Sequence, residues 1–186
     1  MLLNASMYTM PHWKRLSELV RVYSEWVTLV GERWLCDKGK ELEYWRVEKV
    51  DSVIVLPVQG DHILCVAPTF RPGVGRATLD FPGGRLPNGS APADMVPLLL
   101  KRELSIPSDA IKKIEALNSK KWNINSSFSN QGLWAFVARI QESFPVPEGL
   151  IGAKAKTDAY GLAQLKEDLD CLQCRAVLLE WQERGS

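Results

Sequence analysis

Histidine is nearly absent, with His12 and His62 the only two in the chain. They lie far apart, so a Ser-His-Asp or Cys-His nucleophilic arrangement is implausible. A histidine-built metal centre would lack ligands. Long apolar runs are missing too. No stretch reaches the roughly 18 residues that a membrane-spanning helix requires, so no membrane partner is expected. The opening residues, Met1 to Tyr8, lack a basic region and an extended apolar core. No secretory leader is expected there, and the cytoplasm is the default location. An excess of either charge is absent as well: 23 Lys and Arg face 22 Asp and Glu, for a net charge of +1. That balance does not suit a polyanion surface, so nucleic acid is not an expected partner. A small phosphorylated ligand needs no global charge.

Cysteine is scarce, with four residues at 36, 65, 171 and 174. Cys171 and Cys174 have CxxC spacing, but no second pair accompanies them. A zinc site is therefore weakly supported, and the pair reads as two apolar positions on one face of the last helical segment.

What is present is apolar patterning: 46% of the 186 residues are hydrophobic, enough for one domain with a core. Residues 11–22 place Leu16, Leu19 and Val20 at helical spacing, which predicts a short amphipathic helix. Two β-rich segments follow, 24–35 and 41–48, joined by a turn at 37–40, and they read as a hairpin. Residues 52–58 form a near-continuous apolar run suited to a strand buried on both faces. A turn at Gln59, Gly60 and Asp61 leads to a return strand at 62–68, and Ala77 to Phe81 is another strand. Pro97 would clash inside a helix, so an N-cap at Asp94 and a helix over about 95–105, ending before Pro107, are expected. Residues 111–117 resemble a strand, 121–131 a polar loop, 133–140 a core strand, and 141–152 a Pro/Gly loop. Residues 160–184 read as two helices or one broken helix. A mixed sheet between helices is the natural packing.

The stretch from Thr69 to Ile106 organises this plan. A strand leads into a loop with glycines at 73, 75, 83, 84 and 89, and a helix follows that ends in Lys101, Arg102 and Glu103. Arg71, Pro72, Gly73 and Arg76, then Leu79, Asp80, Phe81, Pro82, Gly83 and Gly84, resemble the Nudix hydrolases, in particular the ADP-ribose and ADP-sugar pyrophosphatases. The resemblance covers roughly residues 24–180. It implies an α/β/α sandwich with a mixed sheet for residues 49–186, preceded by an arm of helix and β-hairpin over residues 1–48. Such arms often serve homodimerisation.

The family box runs from a glycine through a first glutamate to Arg-Glu-aliphatic-x-Glu-Glu-x-Gly-aliphatic. Aligned on Gly84 without gaps, Ser90 takes the place of the first Glu, and Leu98 and Leu99 that of Arg-Glu. Arg102 and Glu103 take the Glu-Glu places, Ser105 the Gly, and Ile106 the last aliphatic. A second register, with Arg102, Glu103 and Leu104 as Arg-Glu-aliphatic, would put Ile106 and Pro107 at the paired glutamates, and proline would end the helix there. The ungapped register is preferred.

The resemblance implies a pyrophosphatase acting on a nucleoside diphosphate derivative such as ADP-ribose or an ADP-sugar. Three of the four box glutamates are absent, which weakens that activity. Glu103 is the candidate catalytic residue. With the Gly83 carbonyl it is also the candidate ligand for Mg²⁺, helped by Asp80 or by Glu142 and Glu148. Arg71, Arg76, Gly84 and Arg102 are the candidate substrate-binding residues, and Trp122 is a candidate for stacking on a base. A second reading is a non-catalytic module that binds a nucleotide or sugar phosphate, with Arg102 supplying the charge that magnesium would bring. A third is a scaffold for protein contacts.

Overall fold

The computed structural model describes residues 12–185, and the expectation about a leader at Met1 to Tyr8 falls outside them. The chain divides into two compact units, one reaching as far as Lys49 and including Asn125–Asn130, the other comprising Val50–Ile124 and the rest.

The first unit is a three-stranded antiparallel sheet in the order β1-β2-β3, with β1 at Lys14–Tyr23, β2 at Thr28–Leu35 and β3 at Glu41–Glu48. The hairpin is as expected, but the helix expected over 11–22 is strand β1 instead. Register explains the difference. Pairing with β2 skips Leu16, between Arg15 and Ser17, and Leu19, between Glu18 and Val20. Two bulges insert two extra residues, and that breaks the period-two alternation and mimics helical spacing. Ion pairs hold the sheet. Glu32 is fully buried and accepts from Arg15 Nε at 2.8 Å, Arg46 Nε at 2.9 Å and the Trp34 indole at 3.1 Å. Glu48 bridges Arg21 and Arg46, each at 2.8 Å. Residues 125–130 belong to this unit through the Val47 N–H donating to Phe128 O at 2.7 Å and the Tyr44 hydroxyl bonding Ser127 O.

The second unit is built on a mixed sheet with the order β11-β5-β4-β10-β8. Its strands are β4 (Ser52–Gln59), β5 (His62–Arg71), β6 (Arg76–Asp80), β7 (Gly83–Arg85), β8 (Ile111–Ala116), β9 (Trp122–Asn123), β10 (Gly132–Ile140) and β11 (Ile151–Lys156). β4 and β10 run parallel and the other pairs antiparallel. Three helices complete the unit: α1 (Met95–Leu104), α2 (Ala159–Asp168) and α3 (Leu172–Glu183).

Strand alternation sorts the core into two layers. Ile54, Leu56 and Val58 of β4, with Ile63 and Cys65 of β5 and Leu133, Ala135 and Val137 of β10, pack against α2 and α3 through Leu162, Leu165, Val177 and Leu178. The intervening residues Val53, Val55, Leu64, Val66, Phe136 and Ala138 pack against α1 through Val96, Leu99, Leu100 and Leu104. Each buried Val, Leu, Ile or Phe among them contributes about 1.5–3 kcal/mol through the hydrophobic effect. Burial on both faces is why β4 reads as a continuous apolar run. The result is an α/β/α sandwich.

α1 begins where the prolines allow. A short 3₁₀ turn at Pro92–Asp94 leads into it, Asp94 is the N-cap, and Pro97 falls in the first turn, where no intrahelical N–H is lost. Asp94 is itself helical in φ and ψ and makes no side-chain capping bond. The helix ends at Ser105 in the left-handed conformation, with φ 54°.

Candidate functional site

The end of β6, the bend at Phe81 and Pro82, β7 and the C-terminal half of α1 bring Gly83, Gly84, Arg102 and Glu103 together. β7 pairs with the start of β4, Ile54 opposite Gly83 and Val53 opposite Gly84, which fixes the glycine backbone against the core sheet. Gly84 is needed for closeness: a Cβ there would stand 2.8 Å from Leu99 Cδ2 and 3.3 Å from Arg102 Nη2. Leu99 is fully buried, so it anchors the helix face that Arg102 and Glu103 extend.

Arg102 turns back onto the loop. Its Nη2 donates to the Gly83 carbonyl at 2.8 Å and also pairs with the carboxylate of Glu103. The Gly83 N–H in turn approaches Glu103 Oε2 at 3.4 Å. Arg71 is held separately, by Asp80 Oδ2, at 2.7 Å from Nη2 and 3.1 Å from Nε. Asp80 is buried and also accepts from the Thr78 hydroxyl at 2.9 Å. The Arg71 guanidinium is pushed above its ordinary value, first by its bonds to Asp80, against burial, with Glu103 adding a further favourable charge. Arg76 points elsewhere, to Asp170 at 2.7 Å.

Magnesium demands about six oxygen ligands near 2.1 Å in octahedral geometry. The two donors expected for it here, the Glu103 carboxylate and the Gly83 carbonyl, both accept from Arg102. One turn back on the same helix face, Leu99 offers no oxygen. Among the described residues, neither Glu142 nor Glu148 joins a group of three donors at metal-binding separation. Glu142 lies over Gly60, at the far end of β4 from Gly83. The residues present do not fit Mg²⁺: Arg102 already bonds both of the oxygen donors expected for it.

The helix end favours the ungapped register. Ser105 is the one non-glycine residue with positive φ among those described, and that register puts it at the family glycine. The alternative register needs helix across Ile106 and Pro107, beyond the end of α1. Trp122 is half-buried and packs on the α2–α3 core layer rather than standing free to stack on a base.

The cysteine pair is placed differently from expectation. α2 and α3 are separate, Cys171 is the N-cap of α3 and Cys174 lies in its first turn, so the pair opens a helix instead of sitting inside one. Cys174 is buried, with its Sγ 3.9 Å from Asp80 Oδ1 and accepting from the Phe81 N–H at 3.5 Å. The Cys171 thiol is pulled down to about 6 by the hydrogen bond from Cys174, aided by backbone N–H groups, while the Cys174 thiol is driven up. The CxxC spacing was the signal; the break at Leu169 and Asp170 carries no proline or glycine to reveal it.

One solved structure, described as that of an ADP compounds hydrolase, superposes on 94% of this chain and 93% of its own, with a TM-score of 0.71 and 17% identity. The fold is shared. At that identity the likeness concerns architecture, and the α/β/α sandwich with a mixed sheet implied by the resemblance is the fold observed. No family model matches the chain, and no curated protein sequence matches it. No helix among the described residues is long and apolar enough to cross a membrane.

Proposed function

We propose that this chain is a Nudix-fold module that binds a diphosphate-bearing, nucleotide-type small molecule on guanidinium groups rather than through magnesium. The observation that carries this reading is Arg102 on the Gly83 carbonyl. A planar guanidinium placed there offers phosphate oxygens paired donors and a permanent positive charge, which is the electrostatic role a divalent cation would otherwise fill. Arg71, held on Asp80 and half-exposed, supplies a second cation beside the same loop. Gly83 and Gly84 let the backbone approach a ligand closely. Glu103 serves in this reading to orient Arg102, not to hold a metal.

The second reading is hydrolysis of an ADP-ribose or ADP-sugar type substrate, and the fold shared with an ADP compounds hydrolase favours it. One experiment separates the two. Melting temperature is measured with ADP-ribose, an ADP-sugar and ADP, with and without Mg²⁺, alongside an assay for AMP release. The module reading expects stabilisation without Mg²⁺, lost in Arg102→Ala, and no turnover. Metal-dependent AMP release abolished by Glu103→Gln would establish the second reading instead.

We further take residues 1–48 as an association arm for a homodimer. Support comes from the exposed apolar side chains of that segment, among them Val22, Tyr23 and Trp26. A monomer by light scattering at micromolar concentration would exclude it.

A further inference from the structure

We propose that Asp80, Cys171 and Cys174 form a binding site for a soft divalent metal ion of the zinc class. The Asp80 carboxylate oxygen and the two Sγ atoms all lie within 4.8 Å of one another. A tetrahedral ion with sulfur at about 2.3 Å and oxygen at about 2.1 Å needs its ligands roughly 3.5–3.8 Å apart. The separation of 3.9 Å between Cys174 Sγ and Asp80 Oδ1 is already close to that, so small side-chain movements complete the set. Two thiolates select against Mg²⁺ and Ca²⁺ and for zinc.

The surroundings are those of a held site. Asp80 offers Oδ1 to the sulfurs because Arg71 and Thr78 hold its other oxygen, Oδ2. That arrangement fixes the ligating oxygen in direction, as an outer layer of hydrogen bonds does around metal ligands. The Phe81 N–H donates to Cys174 Sγ and fixes that ligand as well. Asp80 and Cys174 are buried, and half-buried Cys171 leaves one side through which an ion can enter and a water can take the fourth position. Charge closes: two thiolates and a carboxylate carry three negative charges, which Zn²⁺ and the Arg71 guanidinium balance. Binding releases the thiol protons to solvent.

A dithiol that only forms a disulfide has no use for a carboxylate oxygen within reach of both sulfurs, and the placing of Asp80 Oδ1 beside them is what favours metal. The bound ion would tie the end of β6, where the glycine loop begins, to the start of α3. This inference is independent of nucleotide binding, and its test uses metal alone.

The full chain, reduced with a phosphine and stripped of metal, is titrated with Co²⁺ and then Zn²⁺. The expected result is a thiolate-to-cobalt charge-transfer band saturating at one ion per chain and displaced by Zn²⁺, with a rise in melting temperature on adding Zn²⁺. Cys171→Ser, at a helix N-cap where serine is well tolerated, is expected to keep the fold by circular dichroism and to weaken Zn²⁺ binding by at least about 100-fold. Asp80→Asn is expected to weaken it about 10-fold or more. No charge-transfer band in the reduced protein, or a band unchanged in Cys171→Ser, would overturn the proposal. So would a Cys171–Cys174 disulfide that forms in air at the same rate with and without excess Zn²⁺.

Discussion

Arg102 Nη2 donates to the carbonyl oxygen of Gly83 at 2.8 Å and so joins the end of α1 to the loop that precedes it. If that guanidinium stands in for a cation, exchanging it for a carboxylate should call for one. Arg102→Glu would place a second carboxylate beside Glu103 and free the Gly83 carbonyl. The expected outcome is a melting temperature that rises on adding Mg²⁺ in the variant and does not move in the parent. Scanning fluorimetry at several Mg²⁺ concentrations checks it, and equal responses in both proteins would count against the stand-in role.

Gly84 makes that contact possible. Alanine would bring its Cβ to 2.8 Å from Leu99 Cδ2, and Leu99 is locked in the core and cannot swing out. Gly84→Ala should destabilise by about 1–3 kcal/mol through overpacking. Gly73→Ala is the control. Nothing lies within 4 Å of a Cβ there and its φ is not positive, so its effect should stay within about 0.5 kcal/mol. Urea unfolding of the two variants makes the comparison.

Ser105 ends α1 at φ 54°, a conformation that costs an L-residue roughly 1 kcal/mol and glycine nothing. Ser105→Gly should therefore stabilise the protein by about 0.5–1 kcal/mol, and the β-branched Ser105→Val should destabilise it by more than that. Chemical denaturation reads both. A destabilised glycine variant would mean that the serine side chain supplies more than its backbone costs.

Much of the fold was legible because some signals are local. The two-sided burial of β4 shows as an unbroken apolar run, and Pro97, confined to a first turn, with Pro107 beyond the end, delimits α1. Other signals are not local. The bulges at Leu16 and Leu19 are defined by the partner strand, so β1 alone looks helical. The bond from Arg102 to Gly83 spans 19 positions and depends on how β7 docks on β4. Arg71 and Arg76 look equivalent in sequence, yet one faces Asp80 and the other Asp170. The approach of Asp80 to Cys174 bridges 94 positions, and no spacing rule reaches that far.

Glu32 sets the acid limit of the three-stranded sheet. Its carboxylate is fully buried between Arg15 and Arg46, and the hydrogen bond from Arg46 leads in holding its pKa below the ordinary 4.5, against the opposing effect of burial. A folded pKa below the unfolded one means that the ionised carboxylate stabilises the fold. That contribution is complete above about pH 4.5 and is lost as pH falls through the lower folded value. Glu32→Gln leaves two partly exposed arginines facing a neutral amide and should cost about 1–2 kcal/mol at neutral pH. The difference between parent and variant should narrow as pH drops below about 4.5 and be small once the parent carboxylate is protonated. Trp34 donates its indole to the same carboxylate, and urea unfolding followed by circular dichroism at each pH makes the comparison. A difference that stayed constant from neutral pH down to acid would show that Glu32 acts through shape and not through charge.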